Sequence, residues 1–150
     1  MKKQKHAHHC SMVKIIHHSS LSRIMNEKKK QSMKENVIKT KSFEFALRVV
    51  KLFRYLQENK EFVLSKQILR SGTSIGAMVR EAEHAESKAD FIHKMAIAQK
   101  EANETMYWLE LLYQSDYFEK KMFDSIVADL IEIQKLLSSI IISLKAKVNA

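Results

Sequence analysis

The chain has 150 residues, enough for one domain of ordinary size and too few for two. It carries 26 basic and 17 acidic side chains, a formal net charge of +9, with no proline, two glycines and one cysteine; average usage would give roughly 7 prolines and 10 glycines. That composition argues against strand-rich folds built on tight turns, a glycine-rich phosphate loop, an internal disulfide framework and a multi-cysteine zinc site, and it points to an all-helical protein.

The charge is unevenly spread. Residues 1–40 hold ten of the basic side chains and two acids, Glu27 and Glu35, whereas residues 41–150 hold 16 basic and 15 acidic side chains. Five histidines (His6, His8, His9, His17 and His18) and Cys10 also fall near the start. Low hydrophobicity with high charge prevents burial, so residues 1–32 read as a basic, His-rich disordered leader and residues 33–150 as a helical bundle. The text from Met33, MKENVIKTKSFEFALRVV, reads like the opening of a compact domain, so a true start near Met33, or at Met25, is expected. The leader's apolar runs are pairs, Met12-Val13 and Ile15-Ile16, too short for a secretory signal. Its histidine tract has no second ligand cluster to make a metal site. The best apolar run, LLSSIIISL at residues 136–144, falls short of the ~20 residues of a membrane span. A cytoplasmic protein without a membrane partner is expected.

Four helices follow. The first, residues 42–58, has Ser42 as its expected N-cap and an apolar stripe of Phe45, Val49, Leu52 and Leu56. The second, residues 66–84, has Ser65 as its expected cap and a stripe of Leu64, Ile68, Gly72, Ile75, Gly76 and Val79. Its two glycines lie four apart on one face. Each costs ~1 kcal/mol against alanine, and close approach of another helix explains them better than a phosphate nest, since a helix interior has no free N–H to offer. The third, residues 88–115, opens on a Ser87-x-x-Asp90 cap. Its stripe is Phe91, Met95, Ala98, Ala102, Met106, Leu109 and Tyr113. The small residues in its first half (Ala96, Ala98, Ala102) suggest a seat for the glycine-bearing helix. The fourth, residues 118–147, is expected to be capped by Ser115 or Asp116. Around Ile140 and Ile141 its apolar surface wraps most of the helix, which signals a second partner and self-association. Short links between these helices predict an all-α, antiparallel up-down-up-down four-helix bundle.

Chemistry is sparse. Glu81, Glu83, Glu86 and Asp90 cluster with His84 and His93, but a di-metal bundle needs Glu-x-x-His on two helices, and only Glu81-Ala-Glu-His84 fits. The cluster reads as a solvated, ion-paired turn. Ser71, Thr73 and Ser74 have no His–Asp partner set. No catalytic, metal or cofactor site is assigned, and a non-enzymatic protein is expected. A basic face does exist, with Lys41, Arg48, Lys51 and Arg54 along the first helix and Lys66 and Arg70 at the start of the second. It could give salt-dependent, sequence-neutral contacts to phosphates, and several copies would multiply them. Tyr55, Trp108, Tyr113 and Tyr117 are scattered, so base stacking is not indicated.

The stretch QILRSGTSIGAMVREAEHAESKADFIHKMAIAQKEANETMYWLELL, residues 67–112, resembles the bacterial four helix bundle protein family, also called the 23S ribosomal RNA intervening-sequence protein family. The marks are Arg70, Ser71, Ser74 and Ile75, then Glu81, then Ser87, Asp90 and Phe91, then Glu104, Thr105, Trp108 and Leu109. Weaker similarity runs from about Met33 to Lys145. Met78 stands where the family pattern usually has asparagine. The resemblance implies a four-helix bundle assembling as a ring-like homopentamer, with Gly72, Ile75, Gly76, Trp108, Ile140 and Ile141 in helix packing or oligomer contacts. It also implies a link to the accessory variability protein of diversity-generating retroelements, which binds nucleic acid and a reverse transcriptase through a basic pentamer surface. The expected function is therefore RNA or DNA binding through basic faces repeated around a ring. The alternative is a scaffold or adaptor for a partner protein such as a polymerase, without direct nucleic-acid binding.

Overall fold

The computed structural model describes the backbone of residues 5–148 and the side chains of residues 20–148. The chain divides into two compact units, Met1–Lys34 and Glu35–Ala150. The described residues form four α-helices and no strand: α1 (Lys5–Glu58), α2 (Leu64–Ala82), α3 (Lys88–Gln114) and α4 (Lys120–Val148).

The described backbone of residues 5–34 is helical. Lys, Glu, Gln and Met are good helix formers, and no Gly or Pro interrupts them. What the composition forbids is burial: residues 20–34 are exposed except for Gln31 and Lys34, which are half-buried. The side chains of Cys10 and of the five leader histidines lie outside the described residues.

In the second unit the helices pair antiparallel in chain order. Val49 and Ser42 of α1 meet Gly72 and Gly76 of α2. Ser71 and Glu81 of α2 meet Thr105 and Lys94 of α3. Gln99 and Asn103 of α3 meet Ser138 and Gln134 of α4. Lys41 and Arg48 of α1 meet Glu132 and Asp129 of α4, which closes the bundle. Linkers 59–63, 83–87 and 115–119 are short enough to enforce this order.

The core follows the helical period. On α1, Ile38, Ser42, Phe45, Val49, Leu52 and Leu56 recur at alternating steps of four and three, and all are buried. Ser42 therefore sits in mid-helix rather than at an N-cap, with its hydroxyl donating to the Lys39 carbonyl at 3.2 Å. Nothing in residues 33–41 breaks the helix, and Ile38 carries the stripe upstream. On α4, Ile126, Leu130, Ile133, Leu137, Ile140, Ile141 and Leu144 are buried within the single chain. Much of the apolar surplus read as an oligomer contact is thus core, with Ile142 left 68% exposed.

The caps are partly those expected. The Ser87 hydroxyl accepts from the Asp90 N–H at 3.1 Å, and the Asp90 carboxylate accepts from the Glu86 N–H at 3.2 Å. Ser65 is not the cap of α2; it is buried in the first turn, where its hydroxyl donates to the Glu61 carbonyl at 2.8 Å. The Glu61 carboxylate serves instead, accepting from the N–H groups of Val63 (3.0 Å), Leu64 (2.8 Å) and Ser65. Ser115 closes α3, and Asp116 turns the chain at φ 62°, so neither caps α4.

Both α2 glycines face α1, not the alanine half of α3. A Cβ on Gly72 would lie 2.7 Å from Val49 Cγ2, whereas one on Gly76 would lie 3.4 Å from the Ser42 carbonyl oxygen, an ordinary contact. Gly76→Ala is therefore expected to be neutral or to stabilise by up to about 1 kcal/mol through helix propensity. A urea midpoint at fixed protein concentration checks this; a clear loss of stability would mean that α1 cannot accept even a methyl group there.

Candidate functional site

The six basic residues read from the sequence fall into two sets. Lys41, Arg48 and Arg70 tie helices together. The Lys41 ammonium lies 2.9 Å from Glu132 of α4, and its hydrogen bond to that carboxylate holds its pKa above the ordinary lysine value. The Arg48 guanidinium donates to the Ser125 carbonyl (3.0 Å) and hydroxyl (2.9 Å) and pairs with Asp129. Arg70 pairs with Glu104 and lies 3.5 Å from Glu101, both on α3. These pairs are partly exposed, so each contributes little to stability, but each neutralises a cation.

Lys51, Arg54 and Lys66 are different. They are exposed, and no acid pairs with them among the described residues. Lys51 and Arg54 lie near the end of α1 and Lys66 in the first turn of α2, so they share one end of the bundle.

Lys121 joins them there, although the sequence alone did not single it out. It lines a groove of about 530 Å³ between α1 and α4 together with Lys51, Leu52, Tyr55, Met122 and Ile126, with Phe118 entering from the preceding linker. A signal was present. Lys120 and Lys121 open α4, where the positive end of the helix dipole disfavours cations. Lys120 is neutralised by Asp124 at 2.6 Å, but Lys121 has no acid partner among the described residues.

Gly72 and Gly76 seat α1, and Ile75, Ile140 and Ile141 are buried in the core. Trp108 is half-buried and donates its indole N–H to Glu104 at 3.1 Å. Glu104 thus accepts from both Arg70 and Trp108, and these bonds hold its pKa below the ordinary carboxylate value. Beside it the Thr105 hydroxyl bonds the buried Ser71 hydroxyl at 3.0 Å. The Arg-Ser pair of α2 and the Glu-Thr-x-x-Trp stretch of α3 therefore form one interhelical clasp. Met78, at the position where asparagine is usual, is partly buried against the core.

The acidic turn is laced by ion pairs. Lys39 reaches Glu83 at 2.6 Å, and Lys94 lies 3.7 Å from Glu81 and 3.9 Å from Asp90. Among the described residues no three His, Cys, Asp or Glu side chains converge to hold a metal ion, and no helix is long and apolar enough to cross a membrane.

The fold and this surface define an α-helical bundle whose marked residues clasp helices to one another. The chain belongs to the 23S rRNA-intervening sequence protein family, whose model matches residues 34–139. Among solved structures it is similar to a protein of unknown function from the S23 ribosomal protein family of Bacteroides thetaiotaomicron VPI-5482, solved by crystallography at 1.70 Å. The two are 62% identical with a TM-score of 0.71, over 72% of this chain and 97% of the other. No curated protein matches.

Proposed function

We propose that the protein is a non-enzymatic, self-assembling helical bundle of the bacterial cytoplasm, a homopentamer that binds RNA or DNA through cations repeated around its ring. The observation that carries this reading is the set Lys51, Arg54 and Lys66, exposed at one end of the bundle and unpaired with acids among the described residues. One copy offers few phosphate contacts; five copies multiply them. Self-assembly is supported by apolar side chains left on the surface. Phe43 and Leu47, one turn apart on α1, are each 49% exposed, and Ile131 and Ile142 stand out on α4.

The test takes the full chain. Light scattering during gel filtration should give a mass near five chains. Binding to a labelled RNA and a labelled duplex DNA should weaken steeply with salt. In Lys51→Glu/Arg54→Glu/Lys66→Glu the affinity should fall, and on duplex DNA the salt slope should flatten by about 0.9 for every phosphate that is no longer neutralised. An unchanged affinity and slope in the triple variant would reject the cationic surface.

A second reading has its own observation. Lys41, Arg48 and Arg70 are spent on interhelical pairs, while Phe43 and Leu47 remain exposed. An assembly with less free charge and an open apolar flank suits a scaffold for a partner protein such as a polymerase. Failure of the nucleic-acid test with assembly intact would favour it.

A further inference from the structure

We propose that the groove between α1 and α4 is a binding site for a medium-chain acyl carboxylate, a ligand that shares Lys51 with the cationic surface proposed for nucleic acid and is selected by the groove's apolar body. At about 530 Å³ it falls within the roughly 300–1,000 Å³ of small-molecule sites. Its body is apolar: Leu52, Phe118 and Ile126 are buried, and Met122 lines it from the α4 side. Its charge is at the walls, with Lys51 on α1 and Lys121 on α4.

The chemistry of the lining selects the occupant. A nucleobase or sugar carries several donors and acceptors that need partners once out of water. The groove has little to offer them. Apart from the cations, its polar side chains are two hydroxyls, Tyr55 and Ser125, and the Ser125 oxygen already accepts from Arg48. An acyl chain asks for no partner and gains from every CH₂ removed from water. Its carboxylate matches the two lysine ammoniums, which have no acid of their own among the described residues. Arg48, held by Asp129, leaves the anion to the lysines. The α1 wall runs from Arg48 to Tyr55, two turns or roughly 10 Å at 1.5 Å per residue, which suits a chain of medium length.

Calorimetric titration of the full chain with decanoate tests this, with decyltrimethylammonium as the cation-headed control. The expected result is saturable binding of one decanoate per chain, with the control at least about tenfold weaker. Met122→Trp fills the groove without changing charge and, since Met122 is 38% exposed, without burying new volume in the core. It should weaken decanoate at least about tenfold and leave affinity for the labelled RNA unchanged. Lys121→Glu, a surface change, should weaken decanoate similarly and serves should the tryptophan variant not fold. Absence of saturable decanoate binding would overturn the assignment, as would binding indifferent to both variants. Sensitivity to Lys121→Glu without sensitivity to Met122→Trp would mean surface attraction of an anion and would also overturn it. Loss of RNA binding in Met122→Trp, with decanoate not bound, would give the groove to nucleic acid instead.

Discussion

Gly72→Val is expected to destabilise the protein by an amount near the upper end of the roughly 1–3 kcal/mol that overpacking a core costs. Even the first added carbon would stand 2.7 and 2.9 Å from the two methyls of Val49. Val49 is fully buried and β-branched, so its χ1 is stiff and its methyls cannot swing aside. Gly72→Ala isolates the contact. Alanine gains about 1 kcal/mol of helix propensity but meets the same two methyls, so a net loss is expected. Adding Val49→Ala to Gly72→Ala should recover part of that loss, and a double-mutant cycle of urea midpoints at fixed protein concentration measures the coupling. If Gly72→Ala proves more stable than the parent chain, the α1–α2 approach is looser than described.

Glu61→Ala is expected to cost roughly 2–3 kcal/mol, more than an ordinary cap, because one carboxylate serves three backbone donors. Glu61 is 5% exposed, and its loss would leave the Val63, Leu64 and Ser65 N–H groups without their acceptor. Burial alone would raise its pKa, but the hydrogen bonds donated by the Leu64, Ser65 and Val63 N–H groups outweigh that and hold it below the ordinary carboxylate value. The unfolded chain then takes up the proton at higher pH than the folded one. The stabilisation is full above the unfolded-state pKa and is lost as pH falls through the lowered folded-state value. Glu61→Gln keeps the shape and one acceptor oxygen, so it should cost less at neutral pH and remove this part of the acid dependence. Urea midpoints from neutral to acid pH, parent against variant, check it. Parallel pH profiles would show that Glu61 is not the group responsible.

Those two residues also mark how far the sequence could be read. Phe45, Val49, Leu52 and Leu56 were legible because the 3.6-residue period records which face is buried. Gly72 and Gly76 were legible as a close approach, but not its partner, because a stripe says nothing of which neighbour it meets. Ser42 and Ser65 have the right chemistry for N-caps, yet Ile38 continues the apolar stripe through one and Glu61 reaches the α2 donors ahead of the other. Local cap preferences yielded to core register and to a longer side chain. The basic face was visible as a face, but Asp129, Glu132 and Glu104 lie on other helices, so sequence spacing could not show which cations they neutralise. The groove was hidden for the same reason: Lys51 and Lys121 become neighbours only when α1 and α4 pack.

The clasp between α2 and α3 has an optical consequence. Trp108 is the protein's single tryptophan, and its indole N–H is held by the carboxylate that also receives Arg70 across the helix interface. Emission from this fluorophore therefore monitors that one seam without any label. Separation of the two helices takes the Arg70 guanidinium away from the carboxylate that holds the indole, and this change in the charge beside the ring is expected to shift the spectrum.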